Sequence, residues 1–257
     1  MARFKAVFTD VDGTLFSHTA NGVPESAQRA VQQARMAGIK VFAATGRHVL
    51  ELRDLGFHME LDGWVTLNGC LCFNENGVYY ENPIDQENIQ ILVSQLAINP
   101  FPCQFMEKDL MYINMDSLQV RQALGKINTP MPLILDPIRA CSSKTYMLVP
   151  WVNEVTWNGV IAKMRGLKTT RWTPLAADVM PATAGKAKGV FETCRYYGID
   201  PKETVAFGDG PNDIELFEAC GISVAMGNSS DEVKRVADIV AEDIDADGFA
   251  KALASIS

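Results

Sequence analysis

Short apolar runs alternate with segments of helical period at both ends of the chain. Ala6-Val7-Phe8-Thr9 is a compact apolar run that stops at Asp10. Such a run reads as a buried strand that hands its last side chains to a loop. Residues 24–38 place Ala27, Ala30, Val31 and Ala34 at helical spacing, with Pro24 near the start and Gly38 past the end. Proline inside the start and glycine beyond the end are the expected punctuation of a helix. Ile39-Lys40-Val41-Phe42-Ala43-Ala44 reads as a second strand, ending at Thr45-Gly46-Arg47, and Gly63-Trp64-Val65-Thr66-Leu67 as a third, ending at Asn68-Gly69. Strand–helix–strand alternation predicts a parallel α/β sheet with right-handed crossovers.

The same rhythm returns late in the chain. Residues 186–198 carry Val190, Phe191, Cys194 and Tyr197 on one side of a predicted helix. Thr204-Val205-Ala206-Phe207 reads as a strand that ends in Gly208-Asp209-Gly210-Pro211-Asn212-Asp213. A helix is predicted over 211–220, then short strands over 222–225 and 238–241. Between Pro83 and Pro181 the texture changes. Helices are predicted over 85–97, 117–127 and 154–164, strands over 111–113 and 146–149, and prolines at 100, 102, 130, 132 and 137 break the segment up. The reading is a core in two parts, 1–82 and 182–257, around an inserted mixed α/β domain, 83–181. No internal repeat or low-complexity stretch interrupts it.

Composition narrows what such a fold can do. At 257 residues and 47% hydrophobic, the chain has ample material for a packed core, in one large domain or two modest ones. Its 23 basic against 31 acidic residues give a net charge of −8, which argues against a nucleic-acid surface. A small phosphorylated ligand needs only local positive charge and remains compatible. The six cysteines are scattered, and the Cys70/Cys72 pair lacks the second pair that a zinc site needs, so they read as buried reduced thiols. No apolar run approaches the length of a membrane span, and the first residues lead straight into a strand. The expectation is a soluble, cytoplasmic protein.

Two carboxylates, Asp10 and Asp12, follow the first strand, and Gly13-Thr14 follows them. Acidic groups at the end of a buried strand are costly unless a cation lies between them, and Mg²⁺, a hard ion that takes oxygen ligands, suits the place. The pair also suits a carboxylate nucleophile beside a general acid. A plain strand end followed by an Asp-Gly turn is the alternative. Four polar clusters fall at carboxyl ends of strands or at a helix start: Asp10 with Asp12, Thr45-Gly46-Arg47, Lys186, and Asp209 with Asn212 and Asp213. In open α/β sheets that edge is where sites are built.

This set, in this order, resembles the haloacid dehalogenase (HAD) superfamily, and more narrowly the Cof-type sugar phosphatases, as does Ala225-Met226-Gly227-Asn228. The resemblance implies a Rossmann-like parallel-sheet core with an inserted α/β cap. It implies a Mg²⁺-dependent phosphomonoester hydrolase that acts on small phosphorylated metabolites, sugar phosphates above all, through an aspartyl-phosphate. Asp10 would be the nucleophile and Asp12 the general acid and base. Mg²⁺ would sit on Asp10, the Asp12 backbone carbonyl and Asp209. Thr45, Gly46, Lys186 and Asn212 would hold the phosphoryl group, and Asp213 would support the metal or orient Lys186. Thr45 could instead cap the following helix. Arg47 fits substrate contact or a salt bridge equally, and His18, His48 and His58 receive no catalytic role. Gly185-Lys186-Ala187-Lys188-Gly189 offers two lysines. Lys186 keeps the family's spacing from Pro181 and to Gly198, whereas Lys188 keeps its Lys-Gly pair. Neighbours two apart on a helix do not share a face, so only one can serve, and Lys186 is preferred. A phosphotransferase or phosphomutase on the same core, and a catalytically silent binding protein, are the competing functions. Oligomeric state is not legible.

Overall fold

The computed structural model describes residues 4–126 and 129–256; the last residue of the helix predicted over 117–127 lies outside them. In chain order the elements are β1 (Ala6–Thr9), α1 (Glu25–Met36), β2 (Lys40–Ala44), α2 (Val49–Asp54), β3 (Gly63–Thr66), β4 (Leu71–Asn74), β5 (Gly77–Glu81), α3 (Gln86–Ile98), β6 (Cys103–Met106), β7 (Met111–Ile113), α4 (Leu118–Lys126) and β8 (Leu133–Ile134). They continue with β9 (Met147–Pro150), α5 (Glu154–Ile161), β10 (Leu167–Thr173), β11 (Ala176–Pro181), α6 (Lys186–Tyr197), β12 (Thr204–Gly208), α7 (Ile214–Ala219), β13 (Ile222–Ala225), α8 (Asp231–Val236), β14 (Ile239–Val240) and α9 (Gly248–Ile256). Two compact units result: residues 1–47, 56–80 and 185–257 form one, and 48–55 with 81–184 the other.

The first unit is built on a sheet of order β14-β13-β12-β1-β2-β3-β4-β5. The pairs from β14 through β3 are parallel, and β3–β4 is antiparallel. β1 lies at its centre, buried along its whole length. A strand covered on both faces must read as a continuous apolar run, and 6–9 does. α6 and α7 cover one face, where Val190, Cys194, Leu216 and Phe217 join Phe8, Phe42 and Ala206. Phe207, the next residue along β12, points to the opposite face and meets Phe249 of α9 at 4.6 Å between ring centres. Thr9 aligns with Phe207 on one side and Ala43 on the other. The carboxyl ends of β12, β1 and β2 therefore open at one edge, and each empties into one of the polar clusters.

The second unit has a mixed sheet of order β10-β11-β9-β6-β7-β8, antiparallel except for β7–β8. Its core joins Ile89, Leu92 and Leu96 of α3 and Trp157 and Val160 of α5 to Phe105, Tyr112, Leu148 and Val179 of the sheet. α2 belongs to this unit. Its cap, His48, accepts the Leu50 N–H at Nδ1 (3.1 Å), which leaves Nε2–H to donate to the Glu107 carbonyl (2.8 Å). Burial holds the His48 imidazole below its usual range, in keeping with a neutral ring. No helix among the described residues is long and apolar enough to cross a membrane.

Gly69 has φ +80°, and a Cβ built there would lie 2.0 Å from the Gly185 carbonyl oxygen. Gly69→Ala combines left-handed strain with a backbone clash, which together cost about 2 kcal/mol or more. The expected outcome is a Tm lowered by about 5 °C or more in a thermal melt; an unchanged Tm would contradict it.

Candidate active site

Asp10 leaves the end of β1, its own N–H still bound to the Phe207 carbonyl (2.9 Å). Asp209 and Asp213 follow the end of β12. Asp213 closes a one-turn 3₁₀ helix, Pro211–Asp213, that splits the helix predicted over 211–220. The cause is local. Asp213 Oδ2 accepts the N–H groups of both Asp209 and Gly210 (3.0 Å each), which pulls the turn tight. Its Oδ1 accepts from Lys186 Nζ at 2.6 Å, and the same ammonium donates to Asp10 Oδ1 at 2.8 Å. Lys186 is fully buried and opens α6, so its four-carbon stem runs inside the fold from the helix start to the two carboxylates.

The charges do not balance. Asp10, Asp209 and Asp213 each offer a carboxylate oxygen within 4.8 Å of the others. One ammonium faces three acids. Burial first, and the Asp213 carboxylate second, push Asp10 well above the ordinary carboxylate range against the pull of Lys186. The same two causes push Asp209 up to about 6. Burial on its own would lower Lys186, but Asp10 and Asp213 outweigh it and hold the ammonium charged. Hard oxygen donors that crowd one another and lack positive charge are a fitting set for a divalent cation such as Mg²⁺.

Asp12 behaves differently. Its carboxylate is clamped by Arg47 through two bonds, Nε to Oδ2 (2.6 Å) and Nη2 to Oδ1 (2.8 Å), and His18 Nε2 approaches Oδ1 at 2.8 Å. Burial works against ionisation, yet Arg47 and then His18 hold this carboxyl below the usual range. Arg47, which the sequence left between substrate contact and salt bridge, forms a half-buried ion pair here. Thr45 is buried after β2, and its hydroxyl accepts the Arg47 N–H (3.1 Å). The cap of α2 is His48, so Thr45 does not cap that helix. Gly46 lies against the Asn68 side chain, since a Cβ there would come 3.0 Å from Asn68 Oδ1. Asn212 sits exposed on the 3₁₀ turn. Lys188 is 43% exposed, paired with Glu192 one turn on (2.8 Å) and set over the Tyr80 ring. Two further contacts escaped the sequence reading: Glu215 accepts the Lys186 N–H, and Asn228 donates to the Gly13 carbonyl. No spacing rule ties either residue to its partner. All six cysteines are free thiols.

The sequence matches the haloacid dehalogenase-like hydrolase family over residues 7–253, and the chain belongs to that family. It is an enzyme, a hydrolase of the HAD phosphatase type. A protein that carries the name of a phosphatase, YkrA of Bacillus subtilis (strain 168), is 31% identical over 97% of this chain and 96% of its own. The structure of BT1666 from Bacteroides thetaiotaomicron, a phosphatase of the same superfamily, superposes with a TM-score of 0.87 at 32% identity, covering 98% of this chain and 95% of that one. The structure of BT4131, a HAD subclass IIB sugar phosphatase, does so with a TM-score of 0.82 at 32% identity, covering 98% and 100%.

The two lysines can be told apart by stability alone. Lys186→Ala strands two buried carboxylates and should cost about 3–5 kcal/mol. Lys188→Ala removes an exposed pair worth about 0–1 kcal/mol. Chemical denaturation of the two variants measures this, and equal losses would contradict the placement of Lys186.

Proposed function

We propose that this enzyme is a Mg²⁺-dependent phosphomonoester hydrolase acting on small phosphorylated metabolites, with sugar phosphates as the leading substrate class. The observation that carries the reading is the fully buried Lys186 ammonium between Asp10 and Asp213, with Asp209 beside them. A site with this surplus of oxygen donors suits a cation and a phosphoryl dianion together. The sugar-phosphatase character of BT4131 supports the substrate class.

The residues divide the work as follows. The Asp10 carboxylate attacks phosphorus, an O–P bond forms, and the bond to the leaving oxygen breaks. Asp12 gives that oxygen a proton. Asp12 then takes a proton from the water that attacks the aspartyl-phosphate, which frees inorganic phosphate and regenerates Asp10. A carboxyl clamped by Arg47 has no proton to give, so the Arg47 fork must open before this step. A guanidinium binds phosphate as readily as carboxylate, which makes an anionic substrate a suitable competitor for it. Lys186 keeps Asp10 oriented and offsets charge on the transferring group. Thr45, the Gly46 N–H and Asn212 serve as phosphoryl donors. Asp10, the Asp12 carbonyl and Asp209, with Asp213 in support, would hold Mg²⁺. When bound, the ion supplies relief of the repulsion between the nucleophile and the phosphate dianion.

Asp10→Asn should abolish phosphate release from p-nitrophenyl phosphate and hexose phosphates while the circular dichroism spectrum stays unchanged. Excess chelator should stop the wild-type enzyme, Mg²⁺ should restore it, and Asp209→Ala should behave as the chelated enzyme does. Release at the wild-type rate by Asp10→Asn, or full activity in chelator, would overturn the mechanism.

Residues 83–181 are proposed as the cap that selects the leaving group, since the flanking segments supply phosphate and metal groups but little for the rest of a substrate. Exchanging this segment for that of a related phosphatase should reorder the substrate ranking and leave the Mg²⁺ requirement intact. An active chimera with the original ranking would assign specificity to the core.

A further inference from the structure

Helix α6 begins without a cap of its own. The residue before it is Gly185, which has no side chain to accept an N–H from the first turn. A Ser, Thr, Asn or Asp at 185 would displace the Glu215 carboxylate, because a Cβ there would lie 2.4 Å from Glu215 Oε2. The space is taken by Glu215 itself, which reaches across from α7. Its Oε1 accepts the backbone N–H of Lys186 at 2.7 Å. Glu215 thus caps α6 from another helix, with a full negative charge at the positive end of the helix dipole.

The capped residue is the one whose side chain forms the centre of the site. Lys186 is fixed at both ends: its amide by Glu215, its ammonium by Asp10 and Asp213. Gly69 completes the seat, pressed so closely on the Gly185 carbonyl that it admits no Cβ. A shift in the first turn of α6 would move the whole stem of a buried lysine that has no solvent to relax into. We propose that Glu215 is a positioning residue for Lys186: it sets the start of α6, and through it the place of the ammonium against the nucleophile. The inference rests on the hydrolase reading for its catalytic consequence but not for the bond itself.

Three variants test it: Glu215→Ala removes the acceptor, Glu215→Asp keeps the charge but withdraws it by one methylene, and Glu215→Gln keeps an acceptor oxygen at full reach. Amide hydrogen exchange at Lys186 reads the bond without reference to activity. Steady-state kinetics with p-nitrophenyl phosphate reads the positioning. The expected result is exchange at Lys186 about tenfold faster or more in the alanine and aspartate variants, with kcat lowered about tenfold or more and KM within about twofold. Glu215→Gln should stay within about threefold of wild type on both readouts. Should Glu215→Ala fail to fold, Glu215→Asp carries the comparison. Unchanged exchange in the aspartate variant would overturn the proposal. So would an unchanged kcat, or a glutamine variant as impaired as the aspartate one. A wild-type enzyme inactive on every phosphomonoester would count against the hydrolase reading alone. Positioning would then be read from Lys186 exchange and from calorimetric affinity for inorganic phosphate, which Glu215→Asp should weaken and Glu215→Gln should spare.

Discussion

Lys186 places an ammonium group, wholly removed from solvent, 2.8 Å from Asp10 and 2.6 Å from Asp213. A charge so buried is tolerable only with partners of opposite sign, and two such carboxylates are tolerable only with it. The three side chains come from β1, the start of α6 and the turn after β12, so the bond network ties residues 10, 186 and 213 into one point. It also defines what the site lacks. With Asp209 counted, three acids share one base, and burial first, with the Asp213 carboxylate second, pushes the carboxyl groups of Asp10 and Asp209 up. Such a set of crowded oxygen donors fits a divalent cation.

The topology makes this convergence possible. Because β1 lies between β12 and β2, the loops after all three strands open side by side. Close approach of backbone does the rest. Gly69 against the Gly185 carbonyl is a contact that any side chain would block, and the Glu215 carboxylate fills the space beside Gly185. The first sets the start of α6 against the turn after β3, and the lysine stem spans the remaining distance to Asp10 and Asp213. Outside this network, Asp12 is held by Arg47 and His18 in an arrangement that keeps it ionised. Asp10 and Asp12 are thus set by separate partners that move them in opposite directions: burial and Asp213 push Asp10 up, whereas Arg47 and His18 outweigh burial and hold Asp12 down.

Much of this could be read from residues alone, for definite reasons. β1, β2 and β12 are buried on both faces, so their apolar runs are unbroken, and each stops at the polar cluster it presents. α1 and α6 carry plain helical periodicity. The second unit is legible as mixed α/β but not strand by strand: β8 and β10 are short or half-exposed and bear no alternation, and the buried β6 and β11 are not among the predicted strands either. The β4 and β5 strands escape the sequence reading even though Asn76-Gly77, where β5 begins, is a turn signal. Within the site, the motif residues could be listed, but not which atoms meet. The Asp12–Arg47 pair spans 35 positions, and the Lys186–Glu215 bond spans 29. Pairings across such distances follow from packing, and no local pattern encodes them. The same limit applies to α2, whose capping residue is a histidine and not one of the usual short polar side chains.

In the proposed mechanism Asp10, held by a buried lysine, is a nucleophile that carries the phosphoryl group covalently. Rapid acid quench of the enzyme during turnover of a phosphomonoester labelled in the phosphoryl group, followed by peptide mapping, tests it most directly. Acid-stable, hydroxylamine-labile label is expected on the peptide that contains Asp10, and none in the Asp10→Asn variant. Turnover with no labelled peptide at any quench time, or label on a peptide that lacks Asp10, would contradict it.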